Sequence, residues 1–100
     1  MDLDIKPSLL LEALDPATPV AVRKGLAKLV RTAQRLSEQE LRAHKGIHLH
    51  RIQNQFDPVT GLSLESMEVT EGSRLKAMVQ GGRLVLLSLH PDHDATYGKH

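Results

Sequence analysis

The groups able to do chemistry gather toward one end of this chain. After Arg74-Leu75-Lys76-Ala77-Met78-Val79, a Gln80-Gly81-Gly82 turn and an apolar run, the sequence closes on His90-Pro91-Asp92-His93-Asp94-Ala95-Thr96-Tyr97. Two histidines, two aspartates and the only tyrosine thus follow two apolar strands, and a hairpin of that kind delivers ionisable side chains to its rim. An imidazole with an ordinary pKa of about 6.5 gives or takes a proton near neutral pH, which suits His93 to acid or base work. The bland alternative is a solvated loop histidine. A metal reading also exists, because His48 and His50 together with His90, His93, Asp92 and Asp94 hold enough nitrogen and oxygen donors for zinc. Their spacing matches no closed zinc motif, and neither a metal nor another cofactor is expected.

A second chemical feature is a basic block. Residues 23–51 carry Arg23, Lys24, Lys28, Arg31, Arg35, Arg42, Lys45 and Arg51 against Glu38 and Glu40, a local charge of +6 inside a chain of net charge +1. A polyanion or an acidic partner would fit such a block, and so would a plain solvated helix face. Composition narrows the classes further. The chain has one Phe, one Tyr and no Trp, so it offers no aromatic platform for stacking single-stranded bases. Cysteine is absent, which removes disulfides, thiolate ligands and a thiol nucleophile. Asp2, Asp4 and Lys6 interrupt the apolar run of a signal peptide, and no stretch approaches the ~20 apolar residues that span a bilayer. A cytoplasmic protein with no membrane partner is expected.

The elements that must position these groups are legible as a change of period. The 100 residues, 40% apolar, suit one domain over 1–100. The opening Met1-Asp2-Leu3-Asp4-Ile5 alternates and predicts a first strand. Pro7 suits the first turn of a short helix over residues 8–14, ended by Asp15-Pro16. Thr18-Pro19 reads as an N-cap followed by the first helical position. Val22, Leu26, Leu29, Val30, Ala33 and Leu36 then recur at spacings of three and four, which predicts an amphipathic helix of about 18 residues. Lys24, Lys28, Arg31 and Arg35 fall on its other face. Gly25 inside the helix costs about 1 kcal/mol relative to Ala, a cost explained if another helix approaches closely there. Ser37-Glu38-Gln39-Glu40 has the form of a capping box, opening a further helix to about His44, with Gly46 as its stop.

From Ile47 the period becomes two, placing Ile47 and Leu49 on one face of a strand and His48 and His50 on the other. Residues 56–61 carry turn chemistry. Over residues 62–69 the apolar register slips from Leu62 and Leu64 to Met67 and Val69, which predicts a bulge. Residues 74–79 and 83–89 form the last hairpin. The order strand, two helices, then three or four antiparallel strands predicts an α+β protein with the helices on one face of the sheet.

This pattern resembles the RelE/ParE superfamily, the toxins of bacterial type II toxin–antitoxin pairs. Three features carry the likeness: the helical hairpin followed by an antiparallel sheet in about 100 residues; Leu49-His50-Arg51-Ile52 at the strand entry after the helices; and the strand pair headed by Arg74, with its glycine hairpin and the closing His93, Asp94 and Tyr97. The resemblance implies a RelE-like fold, an N-terminal strand and helical hairpin packed on a twisted sheet of about four antiparallel strands. It also implies a toxin held in check by a cognate antitoxin and acting in one of two ways. RelE-like members cut messenger RNA on the ribosome, using the 2′-hydroxyl as nucleophile and no metal; ParE-like members poison DNA gyrase.

For a ribosome-dependent mRNA endonuclease, the resemblance makes Arg74 the phosphate ligand and Tyr97 the residue that orients the nucleotide. A guanidinium fits the first role because its planar fork binds phosphate oxygens in pairs. Lys24, Lys28, Arg31 and Arg35 would contact ribosomal RNA or an acidic antitoxin, and His48, His50, Arg51 and Lys76 would supply further contacts to nucleic acid or a partner. One stretch departs from the nuclease pattern. The strand before Arg74 reads Glu65-Ser66-Met67-Glu68 where the family offers cations, and two carboxylates beside a phosphate would repel it. That departure leaves room for a ParE-like gyrase inhibitor or a catalytically inactive binding module.

Overall fold

A computed structural model describes residues 1–91. Eight elements follow in chain order: β1 (Asp2–Ile5), α1 (Pro7–Leu14), α2 (Val20–Arg35), α3 (Glu38–Ala43), β2 (His50–Phe56), β3 (Ser63–Thr70), β4 (Ser73–Gln80) and β5 (Arg83–Pro91). The strands form one sheet in the order β1-β5-β4-β3-β2, with β1 parallel to β5 and the other neighbours antiparallel. The expected α+β layer pair is present, and β1 joins the four antiparallel strands as a fifth. No helix among the described residues is long and apolar enough to cross a membrane.

The helices cover one face of the sheet. Leu26, Leu29 and Ala33 of α2, Leu9 of α1 and Leu41 of α3 close over Met67, Leu75, Ala77, Leu84 and Leu86, joined by Ile47 and Leu49 from the chain leading into β2. Spacings of three and four on α2 meet alternate residues on the strands, so the two periods read from the sequence share one aliphatic core.

Helix ends depart from expectation in one place. Thr18 does not cap α2; its hydroxyl donates to the Glu12 carbonyl (2.6 Å) and closes the end of α1, while Pro19 stands at the start of α2. The capping box of α3 is formed in both directions, with the Glu40 N–H donating to Ser37 Oγ (3.1 Å) and the Ser37 N–H donating to Glu40 Oε1 (2.9 Å). These bonds hold the Glu40 carboxyl below its usual range. In the loop after β2, the N–H and hydroxyl of Thr60 both donate to Asp57 Oδ2, lowering the Asp57 carboxyl likewise.

Gly25 has a different cause from the one expected. A Cβ at this position would stand 2.6 Å from the Val69 carbonyl oxygen, so α2 comes close to the backbone of β3 and not to another helix. Val69 is itself an extra residue in the ladder: Glu68 pairs with Arg74 and Thr70 with Ser73. The expected bulge is thus at Val69, beyond the apolar slip. Across the slip, β3 runs regularly against β4 (Glu65 with Ala77, Ser66 with Lys76, Met67 with Leu75). The apolar pattern breaks there because Glu65, a carboxylate, occupies a core-side position.

Candidate nucleic-acid interface on the open face of the sheet

Side chains of directly paired residues project to the same face of a sheet, so register builds the site. On the face away from the helices, one row crosses four strands: His50 of β2, Ser66 of β3, Lys76 of β4 and Ser88 of β5. A second row, two residues along, holds Glu68, Arg74 and His90. Beyond the first row the face turns apolar with Met78 opposite Val85, where Thr60 Oγ1 reaches the Met78 sulfur (3.9 Å).

Two backbone devices set these rows. Gly81 and Gly82 both have positive φ (58° and 77°), as a two-residue type I′ turn requires, and they fix Gln80 opposite Arg83. Register then runs unbroken to Ala77 opposite Leu86, after which Leu87 is an extra residue and Lys76 faces Ser88. Without this bulge, Arg74 would face Leu89 and His90 would point to the other side. The bulged stretch is held from α1 and its approach: the Lys6 N–H donates to the Leu86 carbonyl (3.0 Å), Ser8 Oγ to the Leu87 carbonyl (3.2 Å), and the Leu89 N–H to Glu12 Oε1 (3.0 Å).

Glu65, expected to burden this face, is absent from it. It lies on the helix side, 3% exposed, where Arg42 of α3 donates to both of its oxygens (Nη1 at 2.9 Å, Nη2 at 2.8 Å) and also to Glu38 Oε2. The Glu65 carboxylate, followed by that of Glu38, raises the Arg42 guanidinium above its ordinary range despite partial burial. Glu68 does remain on the open face, directly opposite Arg74.

The candidate residues do not all come together. Arg74, Lys76 and His50 are brought together on the open face. His48 is not on the strand with His50; it has a positive φ of 55° before β2 begins, its ring meets that of His50 edge to face at 5.0 Å, and its carbonyl accepts the His50 Nδ1–H (2.9 Å). That bond leaves His50 Nε2 directed away from the backbone. Arg51 pairs with Glu65 in the ladder, and its Nε stands 3.9 Å from Glu65 Oε2, so it belongs to the helix side. Lys24, Lys28, Arg31 and Arg35 are exposed on α2, across the sheet from the open face. His93 and Tyr97 lie outside the described residues, as do Asp92 and Asp94. Among the described residues no three His, Asp or Glu side chains converge as metal ligands.

Ser66 and Ser88 of this face had no assigned role from sequence, while Glu68 was expected only as a repelling carboxylate and His90 only as a candidate metal ligand. Ser66 and Glu68 alternate with core-side Glu65 and Met67, which was a usable signal once Arg74 and Lys76 were placed. Ser88 and His90 depend on the bulge at Leu87. Next to the Arg74 row, a cleft of about 280 Å³ is lined by Ala17, Thr18, Pro19, Val22, Ser73, Leu89 and His90.

No protein-family model matches the chain, and no curated protein is significantly similar in sequence. Solved structures do match. The YoeB dimer from Staphylococcus aureus is 14% identical, with 94% of this chain and 98% of that one covered at a TM-score of 0.59. A YoeB/ParE toxin from Agrobacterium tumefaciens is 17% identical, with 93% and 100% covered at 0.59. A copper-bound mutant toxin from Helicobacter pylori is 16% identical, with 91% and 93% covered at 0.52. The strands, the helical layer and their order along the chain therefore make up an α+β fold shared with these YoeB/ParE-type toxin structures.

Proposed function

We propose that this chain is the toxin of a toxin–antitoxin pair and acts as a ribosome-dependent, metal-independent mRNA endonuclease that arrests translation in the cytoplasm. The observation that carries the reading is the open face, where Arg74 and Lys76 stand on one strand with imidazoles on both sides, and from which the Glu65 carboxylate has been withdrawn. Cleavage by a 2′-hydroxyl needs a base for that hydroxyl, cations for the charge that develops on the phosphate, and an acid for the departing 5′-oxygen. Arg74 binds the scissile phosphate, His93 handles a proton, and Tyr97 orients the base. The exposed Lys24, Lys28, Arg31 and Arg35 face away from that chemistry and serve the ribosome or the cognate antitoxin.

One observation favours a second reading. Glu68 lies directly opposite Arg74 in the ladder and sets a carboxylate beside the proposed phosphate ligand. A protein in which that carboxylate repels phosphate would be a gyrase inhibitor or a binding module without nuclease activity. Expression without an antitoxin separates toxin from bystander. Growth arrest that Arg74→Ala combined with Tyr97→Phe relieves supports the endonuclease. Arrest that survives both changes, with DNA supercoiling lost in the cell, supports gyrase, and unimpaired growth on expression of the unaltered chain refutes both.

A further inference from the structure

The row His50–Ser66–Lys76–Ser88 lies beside the proposed scissile-phosphate ligand, and two of its members, Ser66 and Ser88, have no role yet. Its centre is unusual. Ser66 is 3% exposed, and its hydroxyl is buried without a hydrogen-bond partner. Leaving a hydroxyl in that state destabilises a fold, so the position calls for a partner that no described side chain supplies. The hydroxyl is flanked in register by His50 on one side and Lys76 on the other, with Ser88 beyond Lys76. All four side chains share the face that carries Arg74. Two hydroxyl donors, an ammonium and an imidazole edge together recognise an anion with several acceptor oxygens.

The distance from Arg74 gives the class of that anion. Residues two apart on one strand are separated by ~6.8 Å, comparable to the spacing of neighbouring phosphates along an extended polynucleotide. Arg74 and Lys76 have that relation, each heading its own cross-strand row. We propose that Ser66, Lys76, Ser88 and His50 form a second phosphate subsite, so that the open face binds two successive phosphates of a single RNA strand. The subsite deepens the endonuclease reading and rests on it for the identity of the polynucleotide. Ser66 Oγ–H donates to one phosphate oxygen and Lys76 Nζ to another. Neither takes part in bond making or breaking, so both are positioning residues.

Uridine 3′,5′-bisphosphate, which carries two phosphates, and uridine 5′-monophosphate, which carries one, are the probes, titrated into the full chain by calorimetry. The bisphosphate is expected to bind about tenfold more tightly, as one or two charge-assisted hydrogen bonds would give. Ser66→Ala should bring that ratio close to one without any change of charge, Lys76→Gln should do the same, and Ser66→Thr should restore it. Thermal unfolding supplies a second readout. Ser66→Ala removes a buried unpartnered hydroxyl and should raise Tm by a few degrees while it weakens bisphosphate binding. Equal affinity for the two probes, or a ratio unchanged in Ser66→Ala, overturns the subsite. Discrimination between the probes in a protein that cuts no message would leave the subsite standing and remove the endonuclease reading alone.

Discussion

Arg42 decides the electrostatics of this protein from outside its candidate site. Strand alternation puts Glu65 on the helix side, and the Arg42 guanidinium holds it there bidentately beneath α3, so the buried carboxylate is neutralised away from the open face. Removing one member of such a pair strands the other charge in a poorly solvated place. Arg42→Leu is therefore expected to destabilise the fold by about 3 kcal/mol, whereas Arg42→Leu with Glu65→Leu recovers most of the loss, because an apolar pair of similar volume avoids the desolvation cost altogether. Urea denaturation midpoints at constant m-value measure both. Equal destabilisation by the single and the double change would mean that Arg42 contributes packing and not charge compensation. At this scale the sequence misled in an instructive way. Glu65 and Glu68 look alike along the chain, and both were expected beside the phosphate. Alternation alone puts them on opposite faces, but which face is buried became visible only with Met67 and Leu75 paired in the core.

Among the elements, α2 and β3 meet at close range at Gly25. Gly25 sits where the bulge at Val69 brings a backbone carbonyl against the helix, leaving no room for a methyl group. Gly25→Ala gains about 1 kcal/mol of helix propensity and pays for it in overpacking of about 1–3 kcal/mol. The helix is pushed off the strand, and a net loss is expected, visible as a Tm lower by several degrees for a domain of this size. A rise in Tm would show that the helix shifts freely over β3. Element types were legible because two periods, 3.6 and 2, are written in the aliphatic residues, and because Ser37-Glu38-Gln39-Glu40 and Gly81-Gly82 are local chemistry that the sheet does not override. Bulges were legible only as broken patterns. The core-side series Leu84, Leu86, Leu89 contains a step of three, and that step is the bulge at Leu87. It rotates Ser88 and His90 onto the open face, and its cause lies in Lys6, Ser8 and Glu12, far away in sequence. Thr18 illustrates the converse, a residue with a strong local signal as a cap that tertiary contact redirects to the end of α1.

At the scale of the whole molecule the sheet divides two kinds of charge. The basic stripe of α2 lies on the helical side, and the Arg74–Lys76 strand with its flanking imidazoles lies on the open side. The basic block read from the sequence, residues 23–51, contains neither Arg74 nor Lys76, and its Arg42 and Arg51 turn to Glu65 on the helical side. With the stripe separated from the candidate site, a phosphodiester chain on the open face and a larger partner on α2 are compatible at the same time. The purified chain incubated with ribosomes carrying a defined message, followed by primer extension across the occupied codon, tests this arrangement most directly. A cut within the ribosome-bound codon is expected, absent when ribosomes are omitted and reduced at least a hundredfold by Arg74→Ala, as loss of one charge-stabilising donor typically costs. An intact message under conditions where the chain arrests growth would contradict the endonuclease and assign the open face to a different target.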